Sequence, residues 1–280
     1  MRVLVTGAGG MLGRDLLEAE TQHDLVGVSR AELDVTERDA CIRAAEGFDA
    51  IVNCAAYTNV DQAETAEDSA YAINATGAEN LAIAAERAGA VLVQVSTDYV
   101  FDGTATQPYA EDAPLAPLGA YGRTKAAGEQ LAQAAHGDTI VLRVAWLYGM
   151  HGGNFVKTML RLADERDTLT VVTDQVGQPT STIEVAQTIL ALLDADVRSG
   201  VFHGTCSGEA SWWEFAREIF TLSGLDSERV HETTSERFVR PAPRPAYSVL
   251  GHTAIADVRS PRIWSEALRD ELRRMGRLAL

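Results

Sequence analysis

The sequence predicts an α/β protein, a doubly wound parallel sheet carrying a smaller C-terminal α/β domain. Three observations support this. A strand-length apolar run at the N-terminus breaks into glycines and reopens as a helix, in Arg2-Val3-Leu4-Val5-Thr6-Gly7-Ala8-Gly9-Gly10-Met11-Leu12-Gly13. Further apolar runs recur at 25–29, 49–56, 91–95 and 140–146, separated by helical patterns, which is the sequence form of βαβ units and a parallel sheet. Beyond residue 147 the alternation stops, and 280 residues leave room for one such unit of about 150 to 200 residues plus an appendage.

The glycine turn fits the opening of a Rossmann-type dinucleotide fold. Gly7 suits a turn with positive φ, Gly10 leaves room for backbone amides to approach a pyrophosphate, and Gly13 lets the helix pack close to the strand. Gly9, Met11 and Leu12 complete the phosphate-facing turn. The second strand ends at Ser29-Arg30, where the adenosine ribose of such a fold lies. An NAD-selective site carries an acid at that place. A hydroxyl and a guanidinium suit a 2′-phosphate instead, so NADPH is expected as cofactor, with NADH also used. Thr36 reads as a helix N-cap.

The third strand ends in small residues, Cys54, Ala55 and Ala56, that let backbone pass close to a cofactor. Tyr57, Thr58 and Val60 follow as a loop over the C-terminal edge of the sheet, where ligands of open parallel sheets sit. Residues 67–88 read as one long helix, and Asn74 on it reads equally as a support of the catalytic site or as a surface amide. The fourth strand, ending at Val95, delivers Ser96, Thr97 and Asp98 to the same edge, with hydroxyls directed into the cleft. A Pro- and Gly-rich loop precedes a helix that begins Tyr121-Gly122-Arg123-Thr124-Lys125, and residues four apart share one helix face. The helical pattern at 183–193 returns to the first unit. The expected dinucleotide-binding domain is therefore 1–147 with 180–200, and the substrate-binding domain is 148–179 with 201–280, where Trp212, Trp213 and Phe215 read as core.

Composition narrows the function. A net charge of −16 repels nucleic acid and anionic membrane, so an anionic ligand must be met by local cations. No apolar run approaches about 18 residues and Met1-Arg2-Val3 opens no signal pattern, so a cytoplasmic protein is expected. Cys41, Cys54 and Cys206 fall in no metal-ligand spacing and read as buried free thiols; no metal ligand set is assigned. Only two of the 24 basic residues are lysines, Lys125 and Lys157, which suggests that these positions require more than charge.

Tyr121, Lys125 and a neighbouring hydroxyl suit carbonyl reduction by a nicotinamide cofactor. The lysine ammonium is expected to favour the phenolate and lower the tyrosine pKa, which is near 10 when free. Thr97, rather than Ser96, is expected to hydrogen-bond the substrate oxygen.

Together these stretches resemble the dTDP-4-dehydrorhamnose reductase family of extended short-chain dehydrogenase/reductases, over nearly the whole chain. The resemblance rests on Thr6-Gly7-x-x-Gly10-x-x-Gly13, residues 53–64, 96–101, Tyr121-Gly122-x-Thr124-Lys125, 143–148, Asn154-Phe155-x-Lys157-Thr158-Met159 and Asp174-Gln175-x-Gly177-x-Pro179-Thr180. Cys54 stands where the family usually has alanine. The family resemblance implies NADPH-dependent reduction of the 4-keto group of a dTDP-6-deoxy-4-keto-sugar to dTDP-L-rhamnose by a monomer or homodimer. It implies Thr97, Tyr121 and Lys125 as the catalytic set, with Asp34, Val35 and Val95 added to the cofactor contacts. It places Thr58, Val60, Asp98, Trp146, Asn154, Lys157 and Arg244 on the nucleotide-sugar, with Arg244 and Lys157 meeting its diphosphate. Two alternatives share the motifs: a reductase or epimerase of another nucleotide 4-keto-sugar, and a non-catalytic NADP-binding regulatory subunit of methionine adenosyltransferase.

Overall fold

The computed structural model describes residues 1–279. In chain order the elements are β1 (Arg2–Thr6), α1 (Met11–Leu17), β2 (Asp24–Val28), α2 (Arg38–Ala45), β3 (Ala50–Asn53), α3 (Val60–Ala63), α4 (Glu67–Tyr71), a single π turn (Ala72–Thr76), α5 (Gly77–Ala88), β4 (Val91–Thr97), α6 (Ala120–Ala135) and β5 (Thr139–Val144). Then follow β6 (Leu147–Tyr148), α7 (Phe155–Glu165), β7 (Leu169–Val172), β8 (Val176–Gly177), β9 (Thr180–Ser181), α8 (Thr182–Asp194), β10 (Gly200–His203), β11 (Ala210–Ser211), α9 (Trp212–Leu222), β12 (Val230–Thr233) and α10 (Trp264–Arg274).

Six parallel strands form the central sheet in the order β10-β5-β4-β3-β1-β2. Helices cover both faces, so the strands are apolar on both sides. Val3, Val5, Val52, Val93 and Ile140 face a cluster with Leu12 and Leu16 of α1 and Ile189 and Leu193 of α8. Leu4, Ile51 and Leu92 point the other way, onto Cys41 of α2 and the small-residue face Ala78, Leu81, Ala82 and Ala85 of α5. β2 and β3 flank β1 on opposite sides, so the winding reverses there and opens a crevice beyond the end of β1. The glycine turn occupies that crevice.

The second unit packs around Tyr148, Met159, Leu169, Phe215, Phe220, Leu268 and Leu272. Its helix α9 starts from a capping box, Ser211 with Glu214, which satisfies two amides that a helix start otherwise leaves open. Among the described residues no helix is long and apolar enough to cross a membrane.

The helix foreseen over 67–88 is one uninterrupted helical run, α4, the π turn and α5, with right-handed helical dihedrals at each junction. Two expectations are corrected. Thr36 does not cap α2, which begins one residue later, after Glu37; its amide and hydroxyl both donate to Asp34 Oδ1, at 3.0 and 2.8 Å, and this local turn outcompetes the cap. The boundary at 200/201 cuts a strand: Gly200–His203 pairs with β5 as the sixth strand of the central sheet, and Ile255 packs in the same core. Val201-Phe202 is too short an apolar run to read as a core strand from pattern alone.

A buried ion pair joins α6 to the sheet. Arg143 on β5 donates from Nε and Nη2 to the two carboxylate oxygens of Glu129 on α6, at 3.0 and 2.8 Å, and Ser96 Oγ donates to the same carboxylate. Both charges are almost fully buried. Removing one partner would strand the other. Glu129→Leu is therefore expected to lower unfolding stability by about 3 to 5 kcal/mol in urea denaturation, and adding Arg143→Met should recover most of the loss.

Candidate functional site

The cleft forms where the carboxyl ends of β1, β3 and β4 meet the start of α6. Gly7 has φ +66°, and a Cβ there would stand 2.7 Å from the Cys54 and Ala55 backbone. A Cβ on Gly13 would reach Gly7 O at 2.6 Å, whereas one on Gly9 would meet nothing. The turn is thus closed toward the protein and open outward at Gly9. Ala8 N donates to Val28 O at 3.2 Å, which pins this turn to the end of β2. Gly10 N donates to Gly7 O at 2.9 Å and closes the turn, while the α1 start has no side-chain cap, so the amides from Met11 onward remain available to an anion. This cradle fits a dinucleotide pyrophosphate, with Leu12 buried beneath it.

At the end of β2 the sequence reading is only half met. Arg30 is exposed, as a phosphate-binding arginine would be, but Ser29 is engaged: its amide and hydroxyl both donate to Glu32 Oε2 at 2.7 Å. Leu33 and Val35 are buried beside Asp34, which is held by Thr36.

Beyond β3, Cys54, Ala55, Ala56 and Tyr57 are half-buried and Thr58 is exposed. Tyr57 is clamped through its backbone by Asn74, which accepts from Tyr57 N at 2.8 Å and donates to Tyr57 O at 3.2 Å and to Thr124 Oγ1 at 3.1 Å. The π turn places Asn74 for this; its sequence position left a support of the site and a surface amide equally open, because an amide on a helix gives no hint of its partners. Three other ties fix α6 from the same side. Glu64 Oε1 accepts from Ala120 N at 2.8 Å, Glu67 makes a two-pronged pair with Arg123, and Ala63, Ala70 and Ala120 pack with Tyr57 and Tyr121. Glu64 and Glu67 were missed because their partners lie 56 residues away.

Thr97, Tyr121 and Lys125 converge. Thr97 ends β4 and Tyr121 lies in the first turn of α6. A Cβ on Gly122 would stand 2.9 Å from Pro117 Cβ, so only glycine lets the helix start approach this closely. The Tyr99 ring meets Tyr121 edge to face, with centroids 5.6 Å apart. Lys125 is buried and donates from Nζ to Val95 O at 2.7 Å. Burial pushes its ammonium down to about 8, against the attraction of Glu129. Burial pushes the Tyr121 hydroxyl up to about 12, with the Thr97 hydroxyl opposing. The expected lowering of Tyr121 by Lys125 is therefore not met, because desolvation of the phenolate dominates and the ammonium is directed at a carbonyl. Ser96 does not face the cleft; it is committed to Glu129.

Asp98 Oδ1 accepts from Thr97 Oγ1 at 2.9 Å, and burial pushes its carboxyl up to about 6. The Ser248 hydroxyl lies beside the Asp98 carboxylate, and the Tyr57 hydroxyl is buried with no partner among the described residues, which suits a polar group of a ligand. Trp146, at φ +46°, stacks on Trp212 with centroids 3.6 Å apart, and its ring lies against Gly177, where a Cβ would stand 2.7 Å from the indole nitrogen. Val60 opens α3 and Asn154 caps α7, its side chain also donating to Gly149 O. The two cations expected at the diphosphate are both engaged within the protein. Arg244 pairs with Asp61 at 2.8 Å, and Lys157 donates to the carbonyls of Met150 and Gly152. Cys41, Cys54 and Cys206 are free thiols.

A family model described as RmlD substrate binding domain matches residues 1–277. The chain belongs to the dTDP-4-dehydrorhamnose reductase family. It is 47% identical to a dTDP-4-keto-6-deoxy-D-glucose reductase of Streptomyces niveus, covering 95% of each chain, and 43% identical to a dTDP-4-dehydrorhamnose reductase of Mycolicibacterium smegmatis, covering 96% of this chain and 84% of that one. Among solved structures, a dTDP-4-dehydrorhamnose reductase of Clostridium acetobutylicum superposes with a TM-score of 0.93 at 42% identity over 99% of this chain and 100% of that one. The Bacillus anthracis enzyme in complex with NADP gives 0.93 at 38% identity, over 98% and 99%. The family fits the glycine cradle and the Thr97, Tyr121 and Lys125 constellation. One consequence of the geometry is direct: Asn74→Ala would leave the Tyr57 backbone unsatisfied, and a loss of about 1 to 3 kcal/mol is expected in chemical denaturation.

Proposed function

We infer that this protein is an NADPH-dependent reductase that converts the 4-keto group of dTDP-4-dehydrorhamnose to the alcohol of dTDP-L-rhamnose. The observation that carries this reading is the convergence of Thr97, Tyr121 and Lys125 at the sheet edge reached by the glycine cradle, in a chain of this family. The cradle residues Gly7, Gly10 and Gly13 would hold the pyrophosphate, and Lys125 and Tyr57 border the nicotinamide side. Bound NADPH supplies the hydride.

The remaining work belongs to the protein. The Thr97 hydroxyl, on turning its proton from Asp98 Oδ1, orients the ketone oxygen, and Tyr121, protonated up to about pH 12, gives that oxygen its proton as the carbonyl carbon becomes an alcohol. A raised tyrosine pKa suits this direction, since reduction requires a proton donor. The Lys125 ammonium stabilises charge left on the phenolic oxygen. Trp146 presents a flat apolar wall to the sugar, and Arg244, held in place by Asp61, is the cation nearest to hand for a diphosphate. Lys157 acts through the loop whose carbonyls it holds. The 47% identical Streptomyces niveus relative supports a second reading, the same reduction on the D-gluco 4-keto isomer.

Incubation with NADPH and a panel of dTDP-4-keto-6-deoxy-sugars, with identification of the product, separates the two readings, and absence of turnover with all of them refutes both. Tyr121→Phe should lower kcat by roughly 10² or more with cofactor affinity nearly unchanged. Lys125→Arg should also be severely impaired, since a planar guanidinium cannot reproduce the buried bond to Val95 O. For the wild type, kcat/KM should fall as pH rises through about 8, where the Lys125 ammonium loses its proton, while Tyr121 stays protonated.

A further inference from the structure

The end of β2 carries an acid that the order of residues conceals. Ser29 and Arg30 follow the strand directly, and the chain then turns back on itself: Glu32 N and Leu33 N donate to Ser29 O at 3.0 and 2.9 Å. The turn brings the Glu32 carboxylate to the strand end, where Oε2 accepts both the amide and the hydroxyl of Ser29. Hydrogen bonds from the Ser29 backbone and then its side chain hold this carboxyl below its ordinary range, so it is ionised at neutral pH. Glu32 and Ser29 are thus grouped at the strand end, which the Ala8-to-Val28 bond fixes beside the glycine turn, and exposed Arg30 lies between them in the chain.

In a dinucleotide fold this is the place of the adenosine ribose, whose 2′ position carries a hydroxyl in NADH and a phosphate dianion in NADPH. We propose that Glu32 is a cofactor-specificity residue that opposes the 2′-phosphate, so that NADH is accepted alongside NADPH. Two effects act in the same direction. The carboxylate occupies both neutral donors of Ser29 that a phosphate would use, and its negative charge repels a phosphate dianion. A ribose diol meets neither obstacle, and a carboxylate is its usual acceptor in such folds. The proposal rests on the reading of this chain as a nicotinamide-dependent reductase.

The alternative is a carboxylate that only stabilises the turn, in the manner of a capping box. Glu32→Gln separates the two, because a glutamine oxygen keeps both bonds from Ser29 and loses the charge. Dissociation constants of NADPH and NADH, measured by isothermal titration calorimetry on wild type, Glu32→Gln and Arg30→Ala, need no sugar substrate. The expected result is that Glu32→Gln raises the NADPH preference by about fivefold at low ionic strength and that added salt shrinks the effect, as for exposed charges. Arg30→Ala should move the preference the other way. An unchanged preference in Glu32→Gln overturns the proposal, whether or not unfolding stability changes. A shifted preference in a protein that reduces no nucleotide 4-keto-sugar leaves it standing and removes the assigned activity instead.

Discussion

The contact on which the working geometry depends is the buried group of Arg143, Glu129 and Ser96. It ties α6, which carries Tyr121 and Lys125, to β4 and β5, and β4 ends in Thr97. Two full charges in a low-dielectric interior are tolerated only when each is matched in position, so the pair admits one placement of the helix against the sheet. Arg143 Nη1 also donates to Glu111 O, and the guanidinium lies over the Phe101 ring. Residues one and two turns along α6 from Glu129 inherit that placement.

The opposite side of α6 is held by one stretch of chain, residues 57–74. Asn74, Glu64 and Glu67 reach Thr124, Ala120 and Arg123 in turn, while Asp61 reaches Arg244 on the proline-rich segment of the second unit. The same stretch begins with Tyr57, beyond the carboxyl end of β3. The loop after β3, the helix and the proline-rich segment are therefore connected through a few directional bonds. The glycines serve this closeness: a Cβ on Gly119 would stand 2.6 Å from Glu64 Oε1 and 3.4 Å from Pro243.

Desolvation sets the chemistry of the cleft more than charge pairing does. It depresses Lys125, raises Tyr121 and raises Asp98, each against the pull of its neighbours. In a chain of net charge −16 the cations around the cleft are already engaged, Lys125 with Val95 O, Lys157 with loop carbonyls and Arg244 with Asp61.

Strand order along the chain, the glycine turn and the Tyr121-x-x-x-Lys125 spacing were legible in the sequence because each is local: period, turn chemistry and helix geometry act over a few residues. The convergence of Thr97 with Tyr121 followed from both being placed at one sheet edge. What the tertiary structure alone decided are the partners. Ser96 turned from the cleft to Glu129, Ser29 to Glu32, Lys157 to loop carbonyls and Arg244 to Asp61, and Gly200–His203 became the edge strand of the main sheet. A polar side chain goes to whichever buried or opposite-charge partner the fold brings within about 3 Å, and such distances between remote segments leave no periodic trace in the sequence.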